Sequence, residues 1–104
     1  MQNIQDIPNK EIAPGIKGRY IHGASTTFGY VQIRSGSVLA SHQHMHEQIT
    51  FIIQGQLEMI IAGETMLLSA GDAHVIPSNT PHSAVAKTDC TVIDVFSPAR
   101  DDYR

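Results

Sequence analysis

The sequence predicts an all-β fold, an antiparallel sandwich or barrel. Three observations carry that expectation. Runs of about five to eight residues, rich in Val, Ile, Thr, Tyr and Phe, recur at short, even spacing. Gly- and Pro-containing turns separate them. No segment repeats its apolar residues at the 3.6-residue period over the length of a core helix.

The elements follow in order. Residues 1–12 read as an N-terminal arm outside the regular pattern. Residues 16–22 and 26–34 read as strands separated by Gly23-Ala24-Ser25, the second dense in β-branched and aromatic side chains. Gly36 breaks that run before a strand at 38–43. Strands at 49–53 and 57–61 flank Gln54-Gly55-Gln56, a hairpin turn placed at a glycine. Ala62-Gly63-Glu64 leads into 65–69, and Ala70-Gly71-Asp72 into 73–77. A Pro-Ser-Asn-Thr-Pro turn precedes 82–87, and 90–96 closes the set. The 104 residues suffice for one domain and one core, and no linker or low-complexity tract divides them, so a single domain over 1–104 is expected.

Composition excludes several classes. Hydrophobic residues make up 41% and charged residues 16%, the balance of a compact chain rather than a disordered one. A formal charge of −3 supplies no basic field for nucleic acid or an anionic membrane. No apolar stretch reaches the length of a membrane span, and the N-terminus lacks the charged and apolar regions of a signal peptide. The single cysteine, Cys90, cannot form an internal disulfide and reads as a small buried hydrophobe. A reduced, cytoplasmic protein is the expectation.

The chemistry concentrates in one stretch and one later residue. His42 and His44 are two apart, so on a strand both imidazoles point to one face. Gln48 shares that parity across a bend at His46-Glu47, and His82 arrives from another strand. Three neutral imidazoles and an amide oxygen suit one divalent transition metal ion: Zn, Ni, Mn, Co or Fe. The alternative is a set of hydrogen-bonded histidines without metal. Glu47 is the rival acidic ligand, but its parity turns it outward. His46 reads as an exposed or supporting residue, and His22 and His74 as ordinary strand or surface histidines.

Asp94 and Phe96 share one strand face near the C-terminus, Pro98 ends the strand, and Arg100 follows. Beside a metal cup these would make an acid/base group, an aromatic wall and a carboxylate-binding guanidinium at the rim. Spacing equally allows a core Phe96, a turn-capping or Lys-paired Asp94 and a solvated Arg100.

These motifs resemble those of a single-domain cupin, a double-stranded β-helix of jelly-roll type. The family's first motif, G-x5-H-x-H-x3,4-E-x6-G, reads here as Gly36, His42, His44, Gln48 and Gly55, with Gln in place of Glu. The second, G-x5-P-x-G-x2-H-x3-N, reads as Gly71, Pro77, Asn79, His82 and Ala86. Asn79 replaces a glycine and tolerates a left-handed backbone. The resemblance implies His42, His44, Gln48 and His82 as metal ligands. With an amide for the carboxylate, the site would keep its full double positive charge and favour non-redox chemistry.

The segment His-x-His-x-His-Glu-Gln and the ending Asp-x-Phe-x-Pro-x-Arg-x-Asp-Tyr look like those of the KdgF-type cupins of pectin and alginate breakdown. That resemblance implies linearisation of 4,5-unsaturated monouronates to the 5-keto-4-deoxyuronate. Asp94 and Arg100 would be catalytic, with Phe96 and Arg100 holding the sugar acid. Two other classes stay open: an oxygen-dependent cupin enzyme such as a dioxygenase, and a non-catalytic sugar-binding or sensor cupin. Exposed edge strands and the habit of such cupins imply a homodimer, with the N-terminal arm exchanged between copies.

Overall fold

The structure is a computed structural model and describes residues 1–104. Its strands are β1 (Lys10–Ala13), β2 (Ile16–His22), β3 (Thr27–Ile33), β4 (Val38–His42), β5 (Glu47–Gln54), β6 (Gln56–Ile61), β7 (Glu64–Ser69), β8 (Ala73–Ile76), β9 (His82–Ala86) and β10 (Cys90–Ser97). They form a six-stranded sheet, β1-β2-β3-β10-β5-β8, and a four-stranded sheet, β4-β9-β6-β7. Every pairing is antiparallel. This is the all-β jelly roll that the sequence predicts. No helix is long and apolar enough to cross a membrane.

The strands lie close to where the sequence puts them, with three differences. First, the N-terminal arm is not outside the pattern. Lys10–Ala13 pairs with β2 as β1, and a short 3₁₀ turn spans Ile4–Asp6. Lys10-Glu-Ile-Ala lacks β-branched alternation, and its pairing with β2 is what makes it a strand. Second, β5 begins at Glu47, so Gln48 is already on the strand. Third, β4 stops at His42, and His44 sits in the link that follows, before the bend at Met45-His46.

Turn geometry follows residue chemistry. Gly55 joins β5 to β6 at φ +91°, where an added Cβ would collide with the Asp89 carbonyl oxygen. Asn79 takes φ 57° in the loop before β9, as its place in the second motif predicts.

The barrel interior has two ends of different character. Side chains alternate in and out along each strand, so each strand contributes an inward row. On β10 that row runs Cys90, Val92, Asp94, Phe96; on β5 it runs Ile52, Thr50, Gln48. On β9 it runs Ala86, Ala84, His82. Pairing sets Val92 opposite Ile52 and Asp94 opposite Thr50, so like meets like across the sheet. The apolar end, with Ile16, Val31, Ile52, Leu57, Met59 and Val92, is a buried core. The other end is polar.

Candidate metal centre and its cavity

The register of two strands builds the site. His42 and His82 are direct cross-strand partners on β4 and β9, with ring centroids 4.2 Å apart. His44 closes the group at 5.0 Å from His82 and 5.7 Å from His42. One ring nitrogen from each of the three lies within 4.8 Å of the others, the spacing of ligands around one ion.

Backbone carbonyls orient all three rings. Nδ1 of His42 donates to the Ala40 carbonyl at 2.9 Å, that of His44 to the His46 carbonyl at 2.9 Å, and that of His82 to the Thr80 carbonyl at 2.8 Å. A neutral imidazole has one N–H, so each Nε2 is left as a lone pair, the tautomer a metal requires.

Two observations show that these residues fit a cation. The buried Nε2 of His82 has no hydrogen-bond partner. Nε2 of His44 faces the Gln48 side-chain oxygen at 3.1 Å, although both are acceptors once Nδ1 carries the proton. A doubly protonated His44 would relieve that clash, but burial, helped by the nearby Arg100 charge, lowers its pKa. Burial likewise lowers that of His82. A shared positive ion satisfies these lone pairs without protonation. The three histidines can therefore hold a metal ion.

Gln48 links this group to Asp94. Its amide nitrogen donates to Thr50 Oγ1 at 2.9 Å and to Asp94 Oδ1 at 3.2 Å, while the Thr50 hydroxyl donates to the same Asp94 oxygen at 2.8 Å. A flipped amide would set its oxygen against the carboxylate, so the network fixes which end faces His44. Burial pushes the Asp94 carboxyl up to about 6, against these donors and Arg100, which act the other way.

A cavity of about 60 Å³ opens between these groups, lined by the three histidines, Gln48, Asp94, Phe96 and Arg100 among others. The structure thus brings together all seven residues singled out in the sequence. It corrects one position. Arg100 is not at a rim but 7% exposed, because its backbone N–H is captured by buried Thr27 and the chain turns inward after Pro98. Glu47 is exposed, on the opposite face from Gln48. His46 is half-buried with its Nδ1 unpartnered, edge-on to His44. His74 lies outside the cluster, and His22 bonds Thr27.

Three cavity residues had been given no role from the sequence. Thr50 shares the parity of Gln48, a signal that was there to use. Tyr20 lies across β3, its ring over Gly29, where an added Cβ would sit 2.7 Å from it. Burial pushes its hydroxyl pKa well up. Tyr103 packs on Tyr20 at 4.8 Å between centroids.

The family model for the cupin domain matches residues 29–96. The chain is a cupin. It lies close to KdgF from Halomonas sp., with 39% sequence identity and a TM-score of 0.89 over 96% of this chain and 94% of that one. An RmlC-like cupin from Shewanella frigidimarina is 26% identical, with a TM-score of 0.93 over 99% of this cupin and 94% of the other. Salicylate 1,2-dioxygenase from Pseudoaminobacter salicylatoxidans shares the fold at 22% identity and a TM-score of 0.78, covering 83% of this cupin and 28% of that chain. No curated protein sequence matches.

Proposed function

We propose that this cupin opens the ring of 4,5-unsaturated monouronates to give the linear 5-keto-4-deoxyuronate. The observation that carries the reading is the Gln48 bridge. One end of its amide faces the histidine cluster and the other holds Asp94, so a proton-transfer group stands one side chain from the metal pocket. Likeness to KdgF at 39% identity supports it.

His42, His44, His82 and Gln48 would hold one divalent transition metal ion, which when bound supplies Lewis-acid stabilisation of negative charge on substrate oxygen. The remaining work belongs to the chain. Arg100 pairs with the uronate carboxylate, and Phe96 packs against the ring. Asp94 takes the proton from the anomeric hydroxyl as the bond from C1 to the ring oxygen breaks. C1 becomes an aldehyde and the former ring oxygen stays on C5 as an enolate. Asp94 then returns the proton to C4, which leaves the C5 ketone. The change is an isomerisation: no water, oxidant or reductant enters the balance.

The test is to add metal-loaded protein to unsaturated galacturonate and follow the ultraviolet absorbance of the conjugated alkene. Accelerated loss without oxygen uptake is expected. No acceleration over buffer overturns the proposal. Oxygen consumption would move the protein to the dioxygenase class, and tight uronate binding without turnover to the sensor class.

The same proposal includes a homodimer in the cytoplasm. The outer face of the six-stranded sheet exposes Ile49, Phe51 and Ile53 on β5, in a row that Glu47 begins, and Val75 on edge strand β8. A second copy covering that face is expected to give a dimer by light scattering, and Phe51→Glu a monomer. A monomeric wild type would refute this.

A further inference from the structure

The chain ends in Pro98-Ala-Arg100-Asp-Asp102-Tyr103-Arg104, and from Arg100 onward only Arg100 so far has a role in the chemistry. The segment folds into a 3₁₀ turn over Asp101–Tyr103, pinned to β3 where the Arg100 N–H meets Thr27 Oγ1 at 2.8 Å. The Arg100 side chain is 8% exposed despite its charge.

Three contacts fix that guanidinium. Nε and Nη2 donate to the two oxygens of Asp102 at 3.0 and 2.8 Å, fork against fork. Its central carbon lies 3.9 Å from the Tyr103 ring centroid and 4.8 Å from that of Phe96. Those rings stand edge to face, 6.2 Å apart. Nη1 makes no hydrogen bond within the protein, and Arg100 lines the cavity with His44, His82 and Asp94.

A guanidinium carries five N–H donors in a rigid plane, enough for two carboxylates on adjacent edges. Asp102 occupies one edge. It does so from outside, because its side chain is 55% exposed and does not line the cavity. It therefore leaves the Nη1 edge free. An arginine on a flexible tail would lose its rotamer freedom on binding an anion; this one has already lost it.

We infer that Asp102 and Tyr103 are positioning residues that lock Arg100 in one rotamer, making its Nη1 edge a preformed clamp by which the cavity selects sugar acids over neutral sugars. The inference rests on the reading above that a uronate enters this cavity, and the binding arm of its test needs no turnover.

Calorimetric titration of galacturonate and galactose into the metal-loaded protein tests it. Wild type is expected to bind galacturonate more tightly than galactose. Asp102→Ala should weaken galacturonate about tenfold while leaving galactose unchanged. Asp102→Glu should restore part of the loss. In an Arg100→Ala background, Asp102→Ala should add nothing, since the residue acts through Arg100. On the unsaturated substrate, Asp102→Ala should raise KM and spare kcat. Unchanged galacturonate affinity in Asp102→Ala overturns the inference. So does tighter binding, which would make Asp102 a competitor, or an equal loss for galactose, which would mean general damage to the site. Turnover with an unaltered KM in Asp102→Ala sinks the clamp and leaves the proposed reaction standing. Asp102-dependent galacturonate binding without turnover sinks the reaction and leaves the clamp.

Discussion

At the scale of single residues, Gln48 is the informative departure from the family's motif. Its amide does two things that a carboxylate cannot do together: it offers an oxygen toward His44 and two N–H groups toward Asp94 and Thr50. A glutamate there would place a second carboxylate beside Asp94, and the pair would share a proton rather than both ionise. Gln48→Glu is therefore expected to retain metal, measured by elemental analysis, while kcat in the absorbance assay falls by about a hundredfold. Full activity would remove the Gln48–Asp94 contact from the mechanism. The candidate site was legible because His42, His44, Gln48 and His82 keep motif spacings that a strand pair converts into geometry. The Thr50–Asp94 bond was not, because it depends on β5 pairing with β10 across 44 positions, in a register that no local pattern states.

At the scale of elements, strand positions were readable from alternation and turn chemistry, and the exceptions have physical reasons. β1 has no signal of its own and exists because β2 needs an edge partner. Tyr20 is a second case. Its ring lies flat only because β3 offers Gly29 beneath it and β2 offers Gly18 beside its hydroxyl. Gly29→Ala is expected to cost about 1 to 3 kcal/mol in denaturant unfolding by displacing that ring. In a Tyr20→Ala background the same change should be neutral or stabilising, since alanine loses less backbone entropy than glycine. Additive costs would show that Tyr20 does not occupy that space. The C-terminal turn allows a pH prediction. The Arg100 guanidinium holds the Asp102 carboxyl below the usual carboxylate range. A lowered native pKa means that the unfolded chain binds the proton first as pH falls. The contribution is therefore present at neutral pH and lost below about pH 4. Asp102 is half-exposed, so the effect is small. Asp102→Asn should cost at most about 1 kcal/mol at pH 7, and the gap between the two proteins in urea unfolding should narrow as pH falls below about 4. A gap that did not narrow with falling pH would assign the cost to shape rather than charge.

At the scale of the whole molecule, the inward rows grade from aliphatic to polar along the same strands, so one barrel carries a core at one end and a binding cup at the other. The core end is self-sufficient, since Ile52 and Val92 are essentially fully buried. The cup end is not, because without an ion the buried Nε2 of His82 has no partner and that of His44 faces the Gln48 oxygen, acceptor against acceptor. A metal bound only by the folded state should therefore stabilise the cup end most. At a free concentration about a thousandfold above Kd, that linkage amounts to about 4 kcal/mol, and each kcal/mol moves Tm by roughly 4 to 8 °C in a domain of this size. Chelation is expected to lower Tm by well over 10 °C, and re-addition of a divalent transition metal ion to restore it. Amide exchange should also be uneven. Loss of protection on chelation should fall on the ends of β4 and β9 around His42 and His82, and spare the Leu57 and Leu68 pair near the open end of the β6–β7 hairpin. Uniform loss would mean that the barrel unfolds as one unit, and an unchanged Tm that the three imidazoles meet without an ion.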